Sequence, residues 1–220
     1  MTDLWPLALS GLYVVGLVLL AEHLRRSGRL SFEWTRKLLH VGIGTWILPT
    51  VLIFQSGLWA AIGPAVFTMV NIVSRRRVWI RAMEEESGSN RGAVYMPLAF
   101  LALIFWLWDR DGGRAVIAGS LLALAWGDAA AALIGRRFGR HRYRAGDEER
   151  SFEGSAAMFA FSLLGIWVGF AVTDIPVSLA LVVLGATAAT LLEAVGRRGL
   201  DNLLVPLGTA AVLQGFARHF

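Results

Sequence analysis

Residues 126–155 read WGDAAAALIGRRFGRHRYRAGDEERSFEGS. One acid, Asp128, sits inside an otherwise apolar run. A loop crowded with arginine follows, and it closes on Ser151-Phe152-Glu153-Gly154-Ser155, where the chain turns apolar again. A carboxylate inside a membrane is costly, so it marks a functional position. With a basic, glycine-bearing loop behind it and a second acid at the loop's far end, the stretch reads as a site for a metal and a polyphosphate.

The surrounding chain supports a membrane setting. Its 220 residues are 56% hydrophobic and 17% charged, and its mean hydropathy is +0.58. Soluble domains are nearer a quarter charged. The apolar residues gather into eight segments, 4–21, 38–54, 58–73, 93–108, 115–134, 155–172, 176–195 and 203–216. The second, third, fourth and eighth are shorter than the roughly 20 residues that cross a typical bilayer. Only residues 55–57 join the second segment to the third, and only 173–175 join the sixth to the seventh, so each pair is antiparallel. The expected fold is all-α: a single integral-membrane domain over residues 1–220, built as a polytopic bundle of about eight transmembrane helices. No basic residues precede the first segment, which therefore reads as a retained helix and not a cleavable leader. The absence of cysteine excludes disulfides and Cys-ligated metals.

Charge gives an orientation. Loops 22–37, 74–92, 135–154 and 196–202 carry 18 of the 21 basic residues. If all eight segments cross, these four loops share one side. By the positive-inside rule that side is the cytoplasm, and both termini lie opposite, on the non-cytoplasmic side. The net charge of +5 is spread over these loops, which speaks for topology and against a nucleic-acid partner. The expected location is a bacterial or archaeal cytoplasmic membrane, with the site on its cytoplasmic face.

The conspicuous polar residues fall on that same side. His40, Asn71, Asp128, Glu153, Glu193, Asp201 and Asn202 all stand near cytoplasmic segment ends, as one pocket between helices requires. Gly127, Ala131 and Gly135 recur every four residues, a spacing of small residues that lets helices approach closely and shields Asp128 from lipid. The loop Gly135-Arg136-Arg137-Phe138-Gly139-Arg140-His141-Arg142 has two readings, a positive-inside anchor or a phosphate cradle in which guanidinium groups pair with phosphate oxygens. No GxxxxGK[ST] motif occurs, so it is not a Walker loop. Arg36 and His40 lie one turn apart, so both can face one partner, although a histidine in an apolar helix is also compatible with a purely structural part.

These residues form an ordered set. Arg36-Lys37-x-x-His40 is followed by Asn90-Arg91-Gly92-x-x-Tyr95-x-Pro97 and then by Gly127-Asp128-x-x-Ala131-x-x-x-Gly135-x-x-x-Gly139. Next come Ser151-x-Glu153-Gly154-Ser155, Glu193, and Asp201-Asn202-Leu203-x-x-Pro206. In this order the chain resembles the polyprenol kinase family, which groups dolichol kinase, phytol kinase and a CTP-dependent diacylglycerol kinase. Arg150 departs from the lysine expected before the serine.

The resemblance implies transfer of the terminal phosphate of CTP, with Mg²⁺ or another divalent metal, to the hydroxyl of a polyprenol, a phytol-like alcohol or diacylglycerol in the membrane. It implies Asp128, Glu153 and His40 as catalytic residues. Arg36, Lys37, Gly135, Arg136, Arg137, Gly139, Arg140, Ser151, Gly154 and Asn202 would meet the nucleotide and its phosphates. Asp128, Glu153, Glu193 and Asp201 would hold the metal. Two other readings stand beside it: a CTP:phosphatidate cytidylyltransferase, which makes a CDP-lipid, and an ion or solute transporter.

Overall fold

The computed structural model describes residues 3–77, 92–145 and 148–216. Asn90 and Arg91 lie outside them, as do the three consecutive acids Glu84, Glu85 and Glu86. The described residues form α1 (Leu4–Arg26), α2 (Phe32–Thr45), α3 (Ile47–Ile53), α4 (Gly57–Arg77), α5 (Gly92–Leu107) and α6 (Gly113–Phe138). The strands β1 (Arg142–Ala145) and β2 (Glu148–Ser151) follow, and α7 (Phe152–Val172), α8 (Leu179–Val195) and α9 (Asp201–Phe216) complete the chain. The all-α expectation holds, with one addition. The basic loop carries an antiparallel hairpin in which Tyr143 faces Arg150 and Arg144 faces Glu149.

Among the described residues, four helices are long and apolar enough to cross a membrane alone: α1, residues 57–74 of α4, α6 and α7. The second apolar segment is split between α2 and α3. Pro49 explains the break: its ring lacks an N–H and collides with the carbonyl four residues back, that of Thr45, where α2 ends. Helices also run past the apolar segments. Arg36 and Lys37 lie inside α2, and Gly135, Arg136 and Arg137 lie in the last turns of α6, not in loops. Arginine is a good helix former, and positive charge is favoured at a helix C-terminus, so α6 continues until Gly139.

α6 is the axis of the bundle, with 67% of its spanning window buried against 17% for α1. Its expected small-residue face packs on α7. A Cβ on Gly127 would stand 2.5 Å from Met158 Sδ, and one on Gly154 would stand 3.0 Å from the Ala131 carbonyl oxygen. The seam continues to the other end of α6, where a Cβ on Gly169 would come within 2.3 Å of Gly119 N.

Two polar staples close the end of the bundle away from Asp128. The buried Asp3 carboxylate accepts from the backbone N–H groups of Gln55 and Ser56 at 2.9 and 3.0 Å. Arg114 donates to the carbonyls of Val51 and Gln55 at 3.3 and 3.1 Å.

Proline decides a third contact. Pro97 in α5 has no N–H to offer the carbonyl of Ala93, four residues earlier. Asn71 of α4 fills the gap, its Nδ2 donating to the Ala93 oxygen at 2.7 Å. Asn71 thus earns its place by satisfying backbone that proline leaves open. Substituting Asn71→Leu is expected to lower stability by about 1 kcal/mol, the scale of an interhelical hydrogen bond in a membrane protein. In a Pro97→Ala background the helix recovers its own hydrogen bond, and the cost should shrink. Thermal unfolding of the four proteins of this double-mutant cycle in detergent measures the difference.

Candidate functional site

The site begins where α2 crosses α6. A Cβ on Gly44 would lie 2.3 Å from that of Ala125, so the two helices touch at that level, and Trp126 Nε1 donates to Thr45 Oγ1 at 2.9 Å beside it. Lys37, His40 and Gly44 share one face of α2 by their spacing, and Asp128 follows Ala125 by one turn of α6. The crossing therefore lays Lys37 and His40 on Asp128. Lys37 Nζ donates to Asp128 Oδ2 at 2.6 Å and to the Asp128 carbonyl at 3.2 Å. His40 Nε2 stands 3.3 Å from the same Oδ2. Counted from Phe138, Asp128 is ten residues deep, or about 15 Å at 1.5 Å per residue.

Asp128 faces a cavity of about 280 Å³ at one end of the bundle. Arg36 and Lys37 reach it from α2, Gly135 and Arg136 from α6, Ser151 and Gly154 from the start of α7, Glu193 from α8, and Asp201 and Asn202 from the start of α9. Ten of the expected site residues, Asp128 included, thus meet in one place. Two helices begin at the cavity. Helix N-termini present free backbone N–H groups to anions. Ser151 caps α7 by accepting from Gly154 N at 3.0 Å, and Gly154 lies so close to Gly135 that a Cβ on it would stand 3.3 Å from Gly135 Cα.

Other expected residues lie elsewhere. Glu153 turns to His141, accepting from its backbone N at 3.2 Å and meeting ring Nδ1 at 2.8 Å. As an acid in the first turn of α7 it also suits the positive end of the helix dipole. Arg137 lies 5.5 Å over the Phe138 ring, and Arg140 is exposed. Gly139 packs beside Ser151, where a Cβ would come within 2.9 Å of that residue's own Cβ. His40 borders a separate cavity of about 70 Å³ between α2, α4, α5 and α9, and Arg36 and Asn202 line both cavities.

The sequence reading gave no individual role to several lining residues. Arg142, Glu149 and Arg150 arrive on the hairpin. Arg150 forms a buried ion pair with Glu193 and donates to the Gly196 carbonyl at 2.8 Å, tying β2 to the end of α8. Arg142 pairs with Glu149 at 3.0 Å across the strands, and Arg136 pairs with Glu33. Gly146-Asp147, a dipeptide that favours hairpins, was the available signal.

The cavity suits a divalent cation carried with phosphates. Its acidic and amide groups offer oxygen only, and Asn202 Oδ1 is buried without a hydrogen-bond partner among the described residues. No three metal-ligating side chains cluster among the described residues. Oxygen donors of this kind fit a hard divalent cation, which fills the rest of its shell with water and substrate phosphates.

Comparison with known proteins points the same way. The chain is 33% identical over 213 residues to a phytol kinase of Synechocystis sp., covering 95% of this chain and 91% of that protein. It is 28% identical to the "Probable phytol kinase, chloroplastic" of Triticum aestivum, over 81% of this chain and 65% of that protein. It is 24% identical to the "Probable phytol kinase 3, chloroplastic" of Glycine max, of which it spans 52%. No family model matches the chain, and no solved structure matches it.

The Arg150–Glu193 pair generates a stability test. Removing one partner of a buried ion pair typically costs about 3–5 kcal/mol, whereas replacing both with apolar residues is often near neutral. Arg150→Met alone should therefore lower the unfolding midpoint strongly. Arg150→Met with Glu193→Leu should recover much of the loss, as read by thermal denaturation in detergent.

Proposed function

Because the chain belongs to the phytol and polyprenol kinase family, we propose that it transfers the terminal phosphoryl group of CTP to the hydroxyl of a membrane prenyl alcohol, with phytol the first substrate to test. Longer polyprenols and diacylglycerol are the wider members of the same substrate class. One observation carries the proposal. A half-buried carboxylate, Asp128, stands between a basic cavity and the apolar interior, held by Lys37 and His40.

In the proposed step the alcohol oxygen attacks the γ-phosphorus, and the bond from that phosphorus to the β,γ-bridging oxygen breaks. CDP leaves with the bridging oxygen, and the alcohol proton passes to the Asp128 carboxylate. Lys37 balances the charge of Asp128 and fixes its orientation. His40 approaches the same oxygen from the apolar side, where the hydroxyl arrives. Arg36, Arg136 and Arg142, with the first turns of α7 and α9, neutralise the phosphates. Phosphoryl transfer depends on this positioning and charge stabilisation more than on covalent chemistry. Asp201 and Asn202 would supply protein oxygens to a divalent ion, which would add positive charge to offset that of the phosphates. Glu153 has a positioning part through His141 at the base of the hairpin.

The same reading sets the cavity at the cytoplasmic face of an eight-crossing bundle with both termini outside. The four loops that carry 18 of the 21 basic residues support it, and so does a cavity that draws on α2, α6, the hairpin, α8 and α9 at a single end.

Purified protein in mixed micelles, given phytol, Mg²⁺ and either CTP or ATP, should form phytyl phosphate and CDP in the CTP reaction. A CDP-lipid with pyrophosphate would instead mark a cytidylyltransferase. Asp128→Asn should lower kcat by about 10²–10⁴-fold, the contribution of a positioned general base. Near wild-type turnover in that variant would overturn the assignment.

A further inference from the structure

A third cavity lies on the apolar side of His40. It has a volume of about 480 Å³ and runs between α1 and α4, over the α2–α3 junction and against α5. Its wall includes Gly11, Val15 and Leu19 of α1 and Gly63, Val66 and Val70 of α4. From Leu7 to Leu19 it follows α1 for twelve residues, about 18 Å at 1.5 Å per residue.

The few polar groups in this wall are already satisfied. Trp46 Nε1 donates to Ser10 Oγ at 2.9 Å, and Thr50 Oγ1 donates to the Trp46 carbonyl at 2.8 Å. The groove therefore offers hydrocarbon and no free polar group in its side chains at Ser10, Trp46 and Thr50. It also opens sideways. Val15, Leu19 and Val66 are more than half exposed, in the direction a bilayer would occupy.

Continuity decides what such a groove is for. Ile43, Phe67 and Pro97 line both the groove and the small cavity beside His40. Arg36 and Asn202 line both that small cavity and the basic one. Three spaces thus follow one another: apolar groove, His40 junction, basic cavity. Pro97 is the corner of the path, and the Asn71 hydrogen bond to Ala93 holds α5 at that corner.

We infer that the groove between α1 and α4 seats the hydrocarbon chain of the alcohol substrate, which enters sideways from the bilayer and delivers its hydroxyl past Ile43, Phe67 and Pro97 to His40 and Asp128. The inference rests on the lipid-alcohol kinase reading and adds the residues that measure the chain. Gly11 and Gly63 are the specificity positions. A Cβ at either meets nothing within 4 Å, so a larger side chain there occupies groove space without displacing backbone. Gly16, elsewhere on α1, is equally open and is not part of the groove wall, which makes it the control.

The test compares phytol with geraniol, a much shorter prenyl alcohol, in wild type, Gly11→Phe, Gly63→Phe and Gly16→Phe. Filling the groove should lower kcat/KM for phytol by about tenfold or more, the scale on which pocket shape discriminates apolar substrates. It should leave geraniol turnover nearly unchanged, and Gly16→Phe should alter neither. Equal losses for both alcohols, or phytol kinetics untouched in either filled variant, would overturn the groove. A second measurement is independent of turnover. A diazirine-bearing prenyl alcohol, irradiated with the wild-type protein, should label peptides of α1 and α4, and Gly63→Phe should suppress that label. Labelling confined to other helices would overturn the inference. So would labelling of α1 and α4 by a diazirine phospholipid that excess phytol fails to displace, because the groove would then be a seat for bilayer lipid. Labelling that is intact in a protein that phosphorylates no alcohol would sink the kinase reading and leave the binding groove standing.

Discussion

The charge on Asp128 has to be compensated inside an apolar bundle, and much of the architecture around it follows from that need. A buried ion without a partner is strongly destabilising, and in a membrane the penalty is heavier still. The chain has a single lysine, and its ammonium group sits 2.6 Å from this carboxylate. Reaching it requires α2 to lie directly on α6, which the Gly44–Ala125 contact permits. Once α2 is seated there, Arg36 falls on the wet side of the pair and His40 on the dry side. The crossing that neutralises the acid also divides the interior into a basic cavity and an apolar one.

Local pattern carried much of this and long-range pairing carried the rest. Gly127, Ala131 and Gly135 could be read as a packing face because helical spacing puts them on one side, and α7 is what they meet. The same arithmetic put Arg36 and His40 one turn apart, but it is Lys37 and His40 that meet on Asp128. Which acid takes which base could not be read, because Lys37 and Asp128 are 91 residues apart and several arginines compete for each carboxylate. Glu153 shows the difficulty. Its motif position suggested a role beside Asp128, yet it lies in the first turn of α7 and within reach of His141, so local geometry claims it first. Helix ends were equally obscure, since apolarity marks where a chain is buried and not where its hydrogen bonds stop. α6 therefore carries Arg136 and Arg137 on the same helix as Asp128, which sets their distance from the acid.

The hairpin shows a different limit. Four-residue strands of alternating charge have no apolar face to reveal them, and an arginine-rich run between membrane segments reads as a solvated loop. Its order comes from outside itself. Arg150 reaches Glu193 and Gly196 on α8, and Tyr143 meets Ser155 of α7 at 2.8 Å. These contacts turn an arginine-rich segment into a wall of the cavity. The arginine that stands where a lysine was expected makes two separate contacts with α8, which a single ammonium would reproduce less well.

Packing density is divided along the same line as chemistry. α6 and α7 meet through glycines with backbone nearly in contact, so the groups around the basic cavity stand on a closely packed pair. Precision at a reacting centre demands such support. α1 and α4 are the least buried of the four long apolar helices, at 17% and 28%, and the open groove lies between them. The proposed transfer, which takes a water-soluble triphosphate from one side and a long hydrocarbon from the other, would use this asymmetry. Rigid packing fixes the oxygen and the phosphorus relative to each other, while loose packing lets a chain slide in from the bilayer without dismantling the core. The bundle concentrates its glycine contacts at α6 and α7, where positions must be held, and leaves α1 and α4 lightly packed, where a guest has to pass.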